Sequence, residues 1–361
     1  MKIAGQFSKV SFDKYDLNSP GQLKEFLFSL GWKPDTWNYN KVTKEKTSPK
    51  ITISSLESIG QSQLGKWVGW YYTLRHRRNM LENRDDPEGK GLLSFVDERG
   101  RVAADAFTIG TPTSRYRHQA PVLNIPKCNQ GVIYGCQMRE VYCVLEPYRL
   151  VGSDLSGVEA RMLGHFTSFF DGGSLAKEIL EGDIHTKTAE VMGVDRNTAK
   201  TIRYAISYGA GVGKVASILS CSNKEAEKAI DLFYAASPSL KILVDYLKAF
   251  YKKHKYLKAI DGRRLFIRSE HVLLNSLIQA SSAVLFKSWG CKIWDAIDRE
   301  NLDSEIIISF HDEYQCRVHK DIVDRFSVVL KDTLRDTQEQ FKLRVDLATD
   351  TKVGMNWRQT H

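Results

Sequence analysis

A chain of 361 residues exceeds one ordinary domain, and 42% hydrophobic with 11% aromatic residues is a globular composition that excludes an intrinsically disordered polypeptide. Lys and Arg total 52 against 43 Asp and Glu, a formal charge of +9 that fits a polyanionic partner such as nucleic acid. No apolar run approaches the ~20 residues of a membrane helix, and the start Met1-Lys2-Ile3-Ala4 opens no signal peptide, so a cytoplasmic protein without membrane contact is expected. Six cysteines without a CxxC pair fit neither a zinc site nor a disulfide framework, which predicts reduced thiols.

Residues 1–50 are polar and loop-rich. They hold one helix that starts at Ser19-Pro20 and stops at Gly31, with Leu23, Phe26, Leu27 and Leu30 on its apolar side. A longer helix is expected from Ser54. Ser54 and Glu57 have capping-box spacing, and Leu64, Trp67, Val68, Tyr71 and Leu74 recur at helical intervals. Its basic end, Arg75-His76-Arg77-Arg78, suits either a solvated helix terminus or phosphate contacts. Residues 86–126 read as short strands and turns, with Phe95-Val96 and Val102-Ala103-Ala104 flanking a hairpin. A strand over 148–154 then delivers Asp154 to its end before a helix begins. There Asp154 is either a helix N-cap or a metal ligand.

Residues 174–220 read as helical, with Asp183 capping one segment. Arg196, Lys200 and Tyr204 follow at steps of four and share one helix face. Two cations and a ring in that order suit the phosphates and sugar of a nucleoside triphosphate, although an ordinary amphipathic helix has the same pattern. Gly209-Ala210-Gly211-Val212-Gly213-Lys214 imitates a phosphate-binding loop. Tyr208 breaks the GxxxxGK spacing, so the segment reads as a helix end and turn. An amphipathic helix over 222–256 ends in Lys252-Lys253-His254-Lys255. A long helix over 271–299 buries Leu274, Leu277, Ile278, Leu285 and Trp289 and carries Asn275 and Gln279, whose amides could read base edges.

The stretch 306–318 reads as strand, tight turn and strand with Asp312 and Glu313 at the turn. A helix over 320–338 and a strand over 343–347 follow. Asp154 and Asp312 on neighbouring strands would repel unless cations neutralise them, and a pair of Mg²⁺ ions ~3.5–4 Å apart is the arrangement that clamps both reacting oxygens in phosphoryl transfer.

Three segments, Asp154-Leu155-Ser156-Gly157-Val158-Glu159-Ala160-Arg161, Arg196 through Gly209, and Phe310-His311-Asp312-Glu313, follow one another in the order and spacing of motifs A, B and C. In this the chain resembles the family A DNA polymerases, the group of bacterial DNA polymerase I, and looks nearest to their branch from short-tailed phages. The resemblance implies an α+β fold: a right-hand polymerase palm built on an antiparallel sheet, helical fingers and only a remnant of the thumb. Thumb remnant and lead-in helices would span 1–87, the first part of the palm 88–165, the fingers 166–270 and the rest of the palm 271–361.

The implied activity is template-directed 5′–3′ DNA synthesis in phage replication, transferring dNTPs to a primer 3′-OH with two Mg²⁺ ions, or Mn²⁺ in their place. The family's roles would fall on Asp154, Asp312 and the Leu155 carbonyl as metal ligands, with Glu313 as a supporting acid. Glu159 would be the steric gate against a ribose 2′-OH. Arg196, Lys200 and His185 would grip the triphosphate, Lys200 also serving as acid for pyrophosphate departure. Tyr204 would face the sugar and admit dideoxynucleotides, Tyr208 would stack near the templating base, and Arg115, Asn275, Gln279 and His311 would contact primer–template DNA. Two departures stand out: the loop Pro121-Val122-Leu123-Asn124-Ile125-Pro126 is one residue short of the family pattern, and Ser114 replaces the usual glycine before Arg115. The family's thumb helices and 3′–5′ exonuclease normally precede the matched region, so a separate polypeptide supplying both is expected, along with a processivity factor. A single-subunit RNA polymerase and a non-catalytic DNA-binding subunit are the alternatives. Glu159 argues against the first, and the paired aspartates with Lys200 argue against the second.

Overall fold

The computed structural model describes residues 16, 18–40, 42–56, 59, 63–84, 91–103, 105–119, 122, 125–129, 131–181, 184–207 and 209–361. The chain divides into two compact units, residues 1–96 and 97–361.

In the first unit, helix α1 (Pro20–Ser29) opens on a proline, whose missing N–H costs nothing in a first turn, and stops where Gly31 takes φ 83°. Strands β1 (Trp37–Tyr39) and β2 (Lys46–Pro49) pair antiparallel, and helices α2 (Ile53–Leu56) and α3 (Gln63–Leu81) follow. Leu23, Leu27, Trp32, Leu56, Ile59 and Val68 form the core, where the Trp32 indole N–H donates to Ser55 Oγ at 2.9 Å. The single helix expected from Ser54 is thus two helices. Ser54 lies inside α2 instead of capping it, and Trp67 and Leu74 of the expected stripe are exposed while Val68 is buried. Phe95 belongs to a 3₁₀ turn over Leu92–Phe95, not to a strand.

The second unit contains a four-stranded sheet in the order β10-β5-β9-β8, formed by β5 (Tyr148–Leu155), β8 (Ser304–Phe310), β9 (Glu313–His319) and β10 (Thr349–Gly354). Every neighbouring pair is antiparallel. Small ladders join β3 (Ala106–Phe107) to β4 (Arg117–His118) and β6 (Leu257–Lys258) to β7 (Arg264–Leu265). The helices are α4 (Gly135–Glu140), α5 (Val158–Asp171), α6 (Ser174–Glu181), α7 (Ile184–Met192), α8 (Arg196–Ser207), α9 (Val212–Leu219), α10 (Asn223–Ala236), α11 (Pro238–His254), α12 (Leu273–Glu300), α13 (Val323–Gln340) and α14 (Trp357–Thr360). This is the α+β class expected. No helix among the described residues is long and apolar enough to cross a membrane.

Period-two alternation explains the sheet. Val151, Leu155, Tyr314, Cys316 and Val318 face one side and pack with Phe286, Trp289 and Ile293 of α12 and Phe326, Leu330 and Leu334 of α13. Asp154, Glu313 and Gln315 face the other. A second core joins α5 through α12, with Met162, Ile202, Phe233, Leu243 and Leu285 at its centre.

Several expectations need correction. The helix over 222–256 is broken at Ser237-Pro238: a Ser222–Glu225 capping box starts α10, and proline restarts the chain as α11. Residues 343–347 form no strand. The Arg344 and Leu347 N–H groups go to side chains, His165 Nδ1 and Gln338 Oε1, the Leu343 N–H goes to the Gln338 carbonyl, and the strand begins later as β10. Cys128 and Cys136 are disulfide-bonded, so not all thiols are free. Gly131 at φ 88° turns the chain, and a Cβ on Gly135 would fall on the Lys127 carbonyl. That close return brings the two cysteines to a Cα separation of 4.3 Å. The expected Asp183 cap lies outside the described residues.

One contact sets the depth of β9 on α12. Tyr314 stacks on Phe286 at 4.1 Å and donates to its carbonyl at 2.9 Å, directly over Gly290. A Cβ there would sit against the tyrosine hydroxyl and ring. Gly290→Ala is expected to destabilise by about 1–3 kcal/mol in denaturant unfolding, the usual cost of overpacking a filled core.

Candidate active site

The register of β5 on β9 opposes Asp154 to Glu313, and the Leu155 N–H donates to the Asp312 carbonyl at 3.0 Å. Asp312 sits in the turn between β8 and β9, whose preceding residue, His311, takes φ 54°. Asp154 caps no helix: the N-cap of α5 is Gly157, three residues on, at φ 57°. The two aspartates therefore meet at one end of the sheet, as the sequence predicts.

Electrostatics there are adverse. Burial, then the charges of Asp312 and Glu313, push the Asp154 carboxyl up to about 7, with His361 pulling the other way. Burial likewise raises Asp312, which also feels Glu159 and Glu313, while its backbone hydrogen bond and Arg115 lower it. His311 is held below its ordinary value by burial and by the neighbouring Arg115 and His118.

Glu313, 3% exposed, is the best satisfied of the three acids. The Trp357 indole N–H donates to its Oε1 at 2.8 Å, Gln315 Nε2 contacts the same oxygen, and His361 Nδ1 lies 2.7 Å from Oε2. Thr360 donates to Gln315 at 2.7 Å, so α14 and the residue after it cover the acidic face of the sheet. Gly152 permits this approach, since a Cβ there would meet Gln315 Nε2 and Thr360 at 2.4–2.7 Å.

Arg115 forms an ion pair with Glu159 of α5 at 2.9 Å. Ser114, standing where the resembling family has glycine, takes φ 57°, a left-handed conformation that explains that glycine. Its carbonyl accepts from Lys287 Nζ at 2.6 Å, and Lys287 also contacts the Thr108 carbonyl.

A pocket of about 150 Å³ unites Glu159, His185, Tyr204 and Asn275 over an apolar floor of Leu163, Ile179, Ile184 and Ile278. The His185 and Tyr204 rings are 6.0 Å apart. Arg196, Lys200 and Tyr204 all lie on α8 and are exposed. Arg203 is buried, donating to Thr188 at 2.8 Å and lying 5.2 Å over Phe233. The helix ends through bonds from Gly209 and Ala210 back to Ile206 and Ala205, with Gly209 at φ 81°, so the GxGxGK look-alike opens as the expected helix stop and turn, but its second half, Val212-Gly213-Lys214, is the first turn of α9.

The sequence profile described as DNA polymerase family A matches residues 2–359. The chain belongs to DNA polymerase family A. It is 27% identical over 395 residues to the DNA-directed DNA polymerases of Enterobacteria phage T3 and Escherichia phage T7, covering 99% of this chain and 54% of each relative. To DNA polymerase I of Caldicellulosiruptor bescii it is 27% identical over 384 residues, 100% of this chain and 43% of that one. The chain thus spans about half the length of the curated relatives it matches. In fold it is similar to the POL domain of Pol1 from M. smegmatis, solved in complex with DNA primer-template and dNTP. That likeness has a TM-score of 0.73 at 22% identity and covers 96% of this chain and 62% of that one.

Within this family A fold, Asp154, Leu155, Asp312, Glu313, His311, Arg115 and Glu159 come together about the sheet end, and Glu159 links them to His185, Tyr204 and Asn275. Gln279 lies one turn beyond Asn275 on α12 and does not line that pocket. Tyr208 and, of the loop over 121–126, Pro121, Leu123 and Asn124 lie outside the described residues. Sequence reasoning missed Lys287, His118, Arg139 and His361. His118 Nε2 lies 2.5 Å from the Ser309 carbonyl beneath the turn, and Arg139, buried at 2% exposure, lies 4.6 Å over Trp357. These residues lie on α12, β4, α4 and the end of α14, meet the site only through tertiary contacts, and carry no local spacing signal.

Because the acids repel in a desolvated setting, Asp154→Asn is expected to raise the melting temperature of the metal-free protein, by about 2–4 °C for each kcal/mol of repulsion relieved. Calorimetry in a chelating buffer checks this.

Proposed function

We propose that this chain catalyses template-directed DNA synthesis, joining the α-phosphate of a dNTP to a primer 3′-OH and releasing pyrophosphate. The observation that carries the proposal is the β5–β9 register, which sets Asp154 beside Asp312 at the sheet end next to the Glu159–His185–Tyr204 pocket. Membership of family A and the likeness to the DNA-directed DNA polymerases of phages T3 and T7 support the same reading.

The donor set fits a divalent cation. Two desolvated carboxylates supply hard oxygen ligands, and their mutual repulsion, expressed in the raised Asp154, is what a cation relieves. Asp154, Asp312 and the Leu155 carbonyl would hold Mg²⁺, two ions in all, with Mn²⁺ as a substitute. When bound, the pair lowers the pKa of the attacking 3′-OH and neutralises charge on the leaving pyrophosphate.

The chain's own residues do the positioning. Arg196 and Lys200 stand one turn apart on α8 and would meet the triphosphate with His185, Lys200 giving a proton to the departing pyrophosphate. Tyr204 would lie against the sugar, and Glu159, fixed by Arg115, would crowd a 2′-OH. Arg115 and His311, beside Asp312, would meet the primer end, while Asn275, Gln279 and Tyr208 would contact the template–primer duplex.

Primer extension tests this directly. Asp312→Asn and Asp154→Asn should each lose at least about three orders of magnitude in rate, some 4 kcal/mol of transition-state stabilisation. Undiminished extension by either variant refutes the proposal. Mg²⁺ should raise the melting temperature of the wild type and leave that of Asp312→Asn nearly unmoved, a readout independent of turnover. Glu159→Ala should improve rNTP relative to dNTP incorporation by roughly ten- to 200-fold, the range that a single small-group contact commands.

A further inference from the structure

One aromatic face of the second unit is not used by this mechanism. A groove of about 420 Å³ runs between α5 and α11, lined by Phe166, Phe169, Phe170, Tyr246, Phe250 and Lys258 among others. Three of its rings stand in solvent: Phe169 is 56% exposed, Phe170 38% and Tyr246 54%. Large rings exposed together on one face cost solvation and mark a binding surface.

The rings form a chain. Phe170 lies 6.1 Å from Tyr246, Tyr246 6.2 Å from Phe250, and Phe250 6.0 Å from Tyr256. Cations close both ends. The Arg344 guanidinium lies 4.0 Å over Phe169, Arg264 lies 4.8 Å over Tyr256, and Lys258 lines the groove itself. The carboxylates next in sequence to its rings have partners of their own: Asp245 pairs with Lys241 at 2.9 Å, and Asp171 accepts the N–H groups of Gly173 and Leu175.

A ladder of exposed rings between fixed positive charges matches neither a lipid surface, which asks for a continuous apolar face, nor a helical partner, which asks for aliphatic holes. It matches a polymer with flat faces at regular intervals and a negative charge on each unit. We propose that this groove binds single-stranded DNA, with unpaired bases stacking on Phe169, Phe170 and Tyr246 and phosphates meeting Lys258, Arg264 and Arg344. The inference rests on the polymerase reading for its source of that strand, the unpaired template ahead of the primer end.

Fluorescence anisotropy with a labelled oligodeoxythymidylate tests it, on wild type, Phe169→Ala/Tyr246→Ala and Lys258→Ala. Both rings are more than half exposed, so the double variant should keep the wild-type melting temperature. Each lost ring should weaken binding roughly tenfold, and Lys258→Ala should lower the slope of log affinity against log salt by about one. Primer extension on a template with a minimal overhang should be unchanged in the double variant, while the gain from a long overhang disappears. Wild type that binds oligonucleotide through these rings yet extends no primer upholds the groove and refutes the polymerase reading alone. Equal oligonucleotide affinity in wild type and double variant, the result expected of a face that takes a protein, overturns the proposal.

Discussion

The antiparallel pairing of β5 with β9 is the constraint on which the rest depends. Side chains alternate with a period of two, so a slip of one residue would turn Asp154 into the core and Leu155 into the site. The slip is resisted from both faces. Tyr314, Cys316 and Val318 are committed to the α12–α13 core, and Glu313 and Gln315 are committed to Trp357, Thr360 and His361. The position of the aspartates is thereby determined by apolar packing beneath them and by hydrogen bonding beside them, and neither asks anything of the aspartates themselves. That separation of roles leaves the carboxylates free to be electrostatically unfavourable.

They are unfavourable to different degrees. Glu313 is deeper than its neighbours, yet the Trp357 indole, the Gln315 amide and the His361 ring meet its two oxygens, so its polar atoms are partnered within the protein. Asp154 has the backbone of the sheet around it and two carboxylates nearby, and its proton is correspondingly hard to lose. Arg115 offers partial relief to Asp312, but its short contact is with Glu159. The arginine that relieves Asp312 is thus already occupied. What remains uncompensated is a pair of oxygen-rich side chains at the open end of a rigid sheet, which is the chemistry that favours divalent cations over a further side chain.

Much of this was legible where the signal was local. Ile306, Ile308 and Phe310 before His311-Asp312, and Tyr314, Cys316 and Val318 after it, describe a hairpin from spacing alone. The Arg196–Lys200–Tyr204 face follows from helical geometry in the same way. Contacts over long sequence separations were not legible. Arg115 and Glu159 are 44 residues apart, Glu313 and His361 are 48 apart, and Lys287 reaches Ser114 across 173. The failed strand over 343–347 has the apolar alternation of a real one. It forms no ladder because side chains take two of its backbone N–H groups, Gln338 from nearby in the chain and His165 from 179 residues away. The break at Ser237-Pro238 was written in the proline but outweighed by continuous amphipathicity on both sides.

Helix α8 illustrates how exposure and rigidity are reconciled. Arg196, Lys200 and Tyr204 could bind a triphosphate only if their helix held a fixed position, yet a row of exposed long side chains contributes little to holding it. Its opposite face does so. Ala199, Ile202 and Ile206 are buried, and Arg203, between them, is buried too. Burial lowers the pKa of the Arg203 guanidinium to about 10, and it persists there because Thr188 of α7, Ser237 before α11 and the Phe233 ring of α10 all meet it. One cation thus ties α8 to three elements at once, with a directionality that an aliphatic side chain lacks. Removing it would leave hydroxyls of Thr188 and Ser237 facing a cavity, whereas removing Lys200 would disturb only solvent. Two basic residues three positions apart on one helix therefore stand in opposite relations to the fold: Arg203 holds the platform, and Lys200 stands on it.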